Sequence, residues 1–148
     1  LEALIGILIF SVGILAMVGM QATAFSASAD AKNRADAAAF ANDIISRIWM
    51  AVDRTSDATV ITTLNTFVLN SGGTNCAFTG GQADNTNTTL TQWVSDVTDT
   101  SGGLLGATTA MQQIAVDTAS MNRVTVTICW QTPQDIAPRK HQVITYVY

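Results

Sequence analysis

No charge falls between Ala3 and Ala29 in the opening stretch LEALIGILIFSVGILAMVGMQATAFSASA, and Glu2 is its only ionisable side chain. That run exceeds the about 20 apolar residues a helix needs to cross the hydrocarbon core of a bilayer. Past Ala29 the pattern turns amphipathic. Ala35, Ala38, Ala39, Ile45, Ile48, Trp49 and Val52 can form one apolar stripe at three- and four-residue spacing. Asp30–Arg34, Lys32–Asp36 and Asp43–Arg47 stand four apart, where opposite charges support a solvated helix face. No proline precedes Pro133, and alanine is abundant from Ala22 to Ala51, which favours helix. The expected element is one helix from Glu2 to about Arg54, roughly 75 Å long at about 1.5 Å per residue.

Beyond Arg54 the pattern breaks. Residues 55–89 are punctuated by Asn70-Ser71-Gly72-Gly73 and Gly80-Gly81 and read as a loop with short elements, among which Thr62–Leu69 suits either a turn or two of helix or a short strand. Leu90, Trp93, Val94 and Val97 fall at helical spacing and predict a short amphipathic helix near Thr88–Thr98, followed by a turn over Asp99–Gly106. The period then becomes two. Gln113–Val116 reads as a strand; Arg123–Trp130 places Val124, Val126, Ile128 and Trp130 on one face; His141–Tyr148 sets Val143, Thr145 and Val147 against Ile144, Tyr146 and Tyr148. Pro133 and Pro138 assign the intervening residues to a connection. The predicted class is α+β: a long N-terminal α-helix, apolar in its first half and amphipathic in its second, packed on a small C-terminal antiparallel β-sheet. Residues 1–29 form the membrane-length segment, 30–54 its amphipathic continuation, and 55–148 a globular head. Trp49, Trp93 and Trp130 are expected between helix and sheet.

The 148-residue chain is 48% apolar, a value raised by its first segment. Its net charge of −4 is dispersed. With no basic stripe, an electrostatic footprint for nucleic acid is missing. Cys76 and Cys129 are too far apart for a CxxC pattern, and His141 cannot complete a metal site with them. In an exported chain they would pair as one disulfide, with two separate buried thiols as the alternative.

No catalytic motif, cofactor site or metal site is predicted. Gly102–Gly106 lacks the lysine of a phosphate loop, and Asp96 and Asp99 lack the alternating oxygen ligands of a calcium loop. His141, beside Arg139 and Lys140, reads as a solvated strand-end residue. Asn87-Thr88-Thr89 meets the glycosylation sequon and makes Asn87 a candidate for modification. Gly6, Gly13 and Gly19 each cost a helix about 1 kcal/mol relative to alanine. They serve either close helix–helix approach or local weakening of the helix. A cleavable secretory signal would need a basic region ahead of the apolar run, and none precedes it here.

Leu1-Glu2-Ala3-Leu4-Ile5 and the apolar run after them resemble the processing motif of the type IV pilin family from its fourth residue on. The long helix laid against a sheet is similar to that family's architecture. VGILAMVGMQ and the strand ending in VTICWQ look closest to its minor-pilin branch. In the family a prepilin peptidase cuts after a glycine, methylates the new N-terminal residue and leaves the acid fifth. Glu2 stands second, so a few residues are expected ahead of Leu1. Gly19 occupies the place of the helix-weakening proline found in many major pilins. A Cys76–Cys129 bridge would enclose most of the head rather than a short C-terminal loop.

The resemblance implies a structural subunit held in the bacterial inner membrane before assembly and in an extracellular pilus filament afterwards. Its partners would be further copies of itself through the N-terminal helices, the prepilin peptidase and the pilus assembly machinery. Glu2 would pair with the N-terminal amine of a neighbouring subunit, against the alternative of a solvated acid favoured by the helix dipole. The other readings are a pseudopilin of a type II secretion system and a non-polymerising, membrane-anchored periplasmic binding module. Tyr146 and Tyr148 fit core or subunit contacts, or an exposed adhesive surface.

Overall fold

The computed structural model describes all 148 residues, Leu1–Tyr148. They fall into two compact units, Leu1–Arg34 and Ala35–Tyr148, and helix α1 (Glu2–Ala51) contributes residues to both. In the second unit α1 buries Ala37, Ala41, Ile44 and Ile48. The expected stripe is thus rotated. Ala35 and Ala39 are exposed and Ala38 only half-buried, because at about 100° per residue Ala39 lies opposite the face that Ile44 and Ile48 fix. The ion pairs Asp30–Arg34 (3.2 Å) and Asp43–Arg47 (3.0 Å) form as expected; no such pair joins Lys32 to Asp36.

Helix α2 (Asp57–Asn65) starts before the expected Thr62. Ser56 and Thr59 form a reciprocal capping box that satisfies the first free N–H groups, and Val60 and Leu64 turn into the core. Strands β1 (Gly72–Thr74) and β2 (Ala77–Thr79) make a hairpin that the glycine-rich sequence concealed. Helix α3 (Thr88–Thr98) matches its expected bounds, and its Trp93 indole N–H donates to the Phe40 carbonyl at 2.9 Å. A single 3-10 turn, Thr109–Met111, leads into β3 (Gln112–Asp117).

β3, β4 (Arg123–Trp130) and β5 (Arg139–Tyr146) form an antiparallel meander in the order β3-β4-β5. Leu69 continues it on the β3 side, exchanging two backbone hydrogen bonds of 3.0 Å with Ile114. β5 begins two residues earlier than its alternation suggested, because Arg139 still pairs with Trp130. It also ends earlier: the Val147 N–H leaves the ladder for the Asn122 carbonyl, and the side chain is buried.

One core joins α1, α2, α3 and the inner face of the sheet, where Ile114, Val124, Val126, Ile128 and Trp130 lie. Trp93 and Trp130 occupy it as expected, whereas Trp49 stays half-buried at its margin. Burying an isoleucine such as Ile44 or Ile48 stabilises the fold by about 1.5–3 kcal/mol. A second, smaller cluster covers the other face of β4. There Cys76, Phe78 and Cys129 are buried with Met111 against them, so β4 is shielded on both sides.

Ala41 has no free surface, whereas Ala39 faces solvent. Ala41→Leu should therefore overpack the core and cost about 1–3 kcal/mol. Ala39→Leu should change stability by less than about 0.5 kcal/mol. Denaturant titration followed by tryptophan fluorescence measures both.

Candidate functional site

Every residue from Leu1 to Ala29 is exposed, including Leu4, Ile7, Leu8, Ile9, Phe10, Leu15 and Phe25. α1 is long and apolar enough to cross a membrane, and its most apolar window has no buried residue. Contiguous exposed apolar surface beyond a few hundred Å² marks contact with a partner or a membrane. Two hydroxyls within this segment fold back onto their own helix. The Ser11 hydroxyl donates to the Ile7 carbonyl at 2.7 Å and the Thr23 hydroxyl to the Met20 carbonyl at 2.8 Å, as an apolar surrounding requires.

Glu2 sits in the first turn, where the positive end of the helix dipole favours an acid. It makes no ion pair within the chain. α1 is helical through Gly6, Gly13 and Gly19, and a side chain added at any of them would meet nothing within 4 Å. Gly6 and Gly13 are seven residues apart and so share a face, whereas Gly19 lies on another.

Cys76 and Cys129 form a disulfide with their Cα atoms 5.8 Å apart. It pins the β1–β2 turn to β4. In that turn Asn75 (φ 54°) and Cys76 (φ 63°) both adopt the left-handed conformation of a tight two-residue hairpin, costly for a residue such as cysteine and here secured by the crosslink.

Asn87 has a structural task. Its Oδ1 accepts the Leu90 N–H at the start of α3, and its Nδ2 donates to Thr66 O at 3.0 Å. The nitrogen a glycan would take is thus already engaged in joining α3 to the end of α2. Asp96 accepts from Gln92 at 2.8 Å and lies 3.9 Å from Arg47, while Asp99 accepts the Gly102 N–H. His141 is half-buried on β5 opposite Ile128.

Two arrangements escaped the sequence. Arg54 lies 5.1 Å from the Trp49 ring centre and donates to the carbonyls of Trp49, Val52 and Tyr148, capping the end of α1. Tyr148 meets Trp49 edge-to-face at 5.9 Å. Partners 94 residues apart leave no local signal. In the other, Asp135 ties together the connection before β5, accepting the Thr132 hydroxyl at 2.7 Å and the Arg139 guanidinium at 2.7 Å. The Thr132-to-Asp135-to-Arg139 spacing was present in the sequence but lay in a segment read only as a proline-bounded connection.

No family model, curated protein or solved structure matches this chain.

The Thr132 hydroxyl, then Arg139 and the Thr132 N–H, hold the Asp135 carboxyl below its ordinary value of 3.8. The Thr86 and Ser120 hydroxyls do the same for Asp84 and Asp117, and the Thr55 N–H for Asp53. A depressed carboxyl stabilises the fold above its unfolded pKa, and that contribution is lost as pH falls through the folded value. Melting temperature should therefore drop below about pH 4, and Asp135→Asn should make the drop shallower. Reducing the disulfide should cost about 2–5 kcal/mol, measured by denaturation with and without reductant.

Proposed function

We propose that this chain is a filament subunit of the type IV pilin kind, anchored in a membrane before assembly and polymerised through its N-terminal helix afterwards. The carrying observation is the exposed, uncharged surface of residues 3–29. A long N-terminal apolar helix, a small antiparallel sheet and a disulfide are together consistent with a pilin-like fold. In lipid such a helix is covered by acyl chains, and in a filament by the helices of other copies. The exchange replaces one apolar surrounding by another, so close packing and polar pairing decide it.

Glu2 supplies the polar pairing in this reading. A carboxylate inside an apolar bundle needs a counter-charge, and the N-terminal amine of a neighbouring copy would provide it. Removing one partner of a buried pair costs about 3–5 kcal/mol, which would select correctly registered subunits. Gly6 and Gly13, on one face, would let neighbouring backbones approach. The prepilin peptidase and the assembly machinery follow from the same reading as processing partners. A secretion pseudopilin would use the same contacts in a shorter fibre.

Electron microscopy of the chain after expression with assembly machinery, or after detergent removal, tests the proposal: ordered fibres are expected, and dispersed single subunits without detergent would refute it. Glu2→Ala should sharply lower fibre yield while leaving the melting of the head unchanged. Gly13→Leu should also lower fibre yield if the glycine serves close approach, whereas Gly13→Ala should stiffen the helix by about 1 kcal/mol.

A further inference from the structure

The face of the sheet opposite α1 carries a groove of 540 Å³, walled by the β1–β2 hairpin and by the connection before β5. Its volume lies within the about 300–1,000 Å³ typical of small-molecule sites. Gln113, Thr127 and Gln142 form its floor, abreast in the register of β3, β4 and β5. Lys140 lines it one row further along, opposite Cys129. Pro138 gives the wall before β5 exposed apolar surface, while Phe78 backs the other wall and is itself only 8% exposed.

The hydrogen bonds at the floor leave a defined set of open valences. The Gln142 side-chain nitrogen donates to the Thr127 hydroxyl at 3.1 Å, and that of Gln113 donates to the Asn70 carbonyl at 2.8 Å. Both glutamines are therefore fixed by their nitrogens and present free amide oxygens. Thr127, only 3% exposed, lies beneath them and accepts from Gln142. No acid lines the groove, and Lys140 makes no ion pair.

We propose that this groove binds an acidic saccharide, a sugar of one or two rings carrying a carboxylate. Sugar hydroxyls both donate and accept, which matches side-chain amides better than it matches a donor-only nest. One unpaired ammonium suits a single carboxylate, whereas a phosphate favours the forked donors of arginine or a helix N-terminus, which this groove lacks. The C–H face of a sugar ring fits against Pro138. The disulfide fixes the hairpin wall, with Cys76 itself part of the lining. The site lies wholly within residues 35–148 and does not depend on polymerisation.

The test is calorimetric titration of the full-length chain in a polyoxyethylene detergent, whose headgroup cannot mimic a sugar. The probes are digalacturonate and its neutral counterpart galactobiose. Digalacturonate should bind at least about tenfold more tightly than galactobiose. Lys140→Gln should abolish that preference, and Gln142→Ala should weaken both sugars, each with an unchanged melting midpoint. Absence of binding at about 10 mM digalacturonate, a concentration that would reveal even millimolar affinity, overturns the proposal. So does equal affinity for the two sugars, or an affinity that neither substitution alters. Micrographs of the same variants separate this outcome from the filament reading, since sugar affinity can fail while fibres persist, and the reverse.

Discussion

The apolar surface of residues 1–29 finds no cover within the chain, and this shortage of partners governs the rest of the molecule. A hydrocarbon-like helix is indifferent to whether lipid or another such helix surrounds it, so the hydrophobic effect keeps it out of water without choosing its neighbour. Under the filament proposal, choice would fall to minor features: a carboxylate at Glu2, glycines at positions 6 and 13, and hydroxyls folded back onto their own helix. Each would be unremarked in an ordinary surface helix. Here they stand out against an otherwise mostly apolar surface.

The second unit solves a different problem, that of stabilising a small head. It draws α1 into its core through Ala37, Ala41, Ile44 and Ile48, so the helix contributes apolar area that the head lacks. Small alanines at 37 and 41 let the helix lie close, while the isoleucines fill volume further along. On the opposite face of β4 the hairpin is too short to hold itself in place by packing. The disulfide does so instead, and the covered cluster of Cys76, Phe78 and Cys129 results. The same anchoring shapes the groove over Gln113, Thr127 and Gln142.

Legibility in the sequence followed the range of the determining interactions. The long helix, α3 and β4 are written in local periodicity, and their bounds were readable to within a few residues. The rotation of the α1 stripe was not, because alanine is compatible with core and solvent alike; only the isoleucines carry the phase. α2 was obscured by an N-cap whose third residue is threonine rather than glutamate or glutamine. The β1–β2 hairpin was hidden by glycines that read as loop, and its tight turn uses a cysteine where asparagine or glycine is usual. The two cysteines were visible by their isolation in composition, and the structure pairs them. The groove was not, since it arises from a cross-strand row whose members come from three separate strands.

The sheet is asymmetric at its margins. Leu69 occupies one side by bonding to Ile114, but no strand follows β5 on the other. An open margin of eight residues invites a like chain to extend the ladder, the usual route to unordered clumping. β5 begins with two adjacent cations, Arg139 and Lys140. Such charges are a common deterrent to sheet-to-sheet joining. The charged start of β5 thus works against edge-to-edge joining of one head with another.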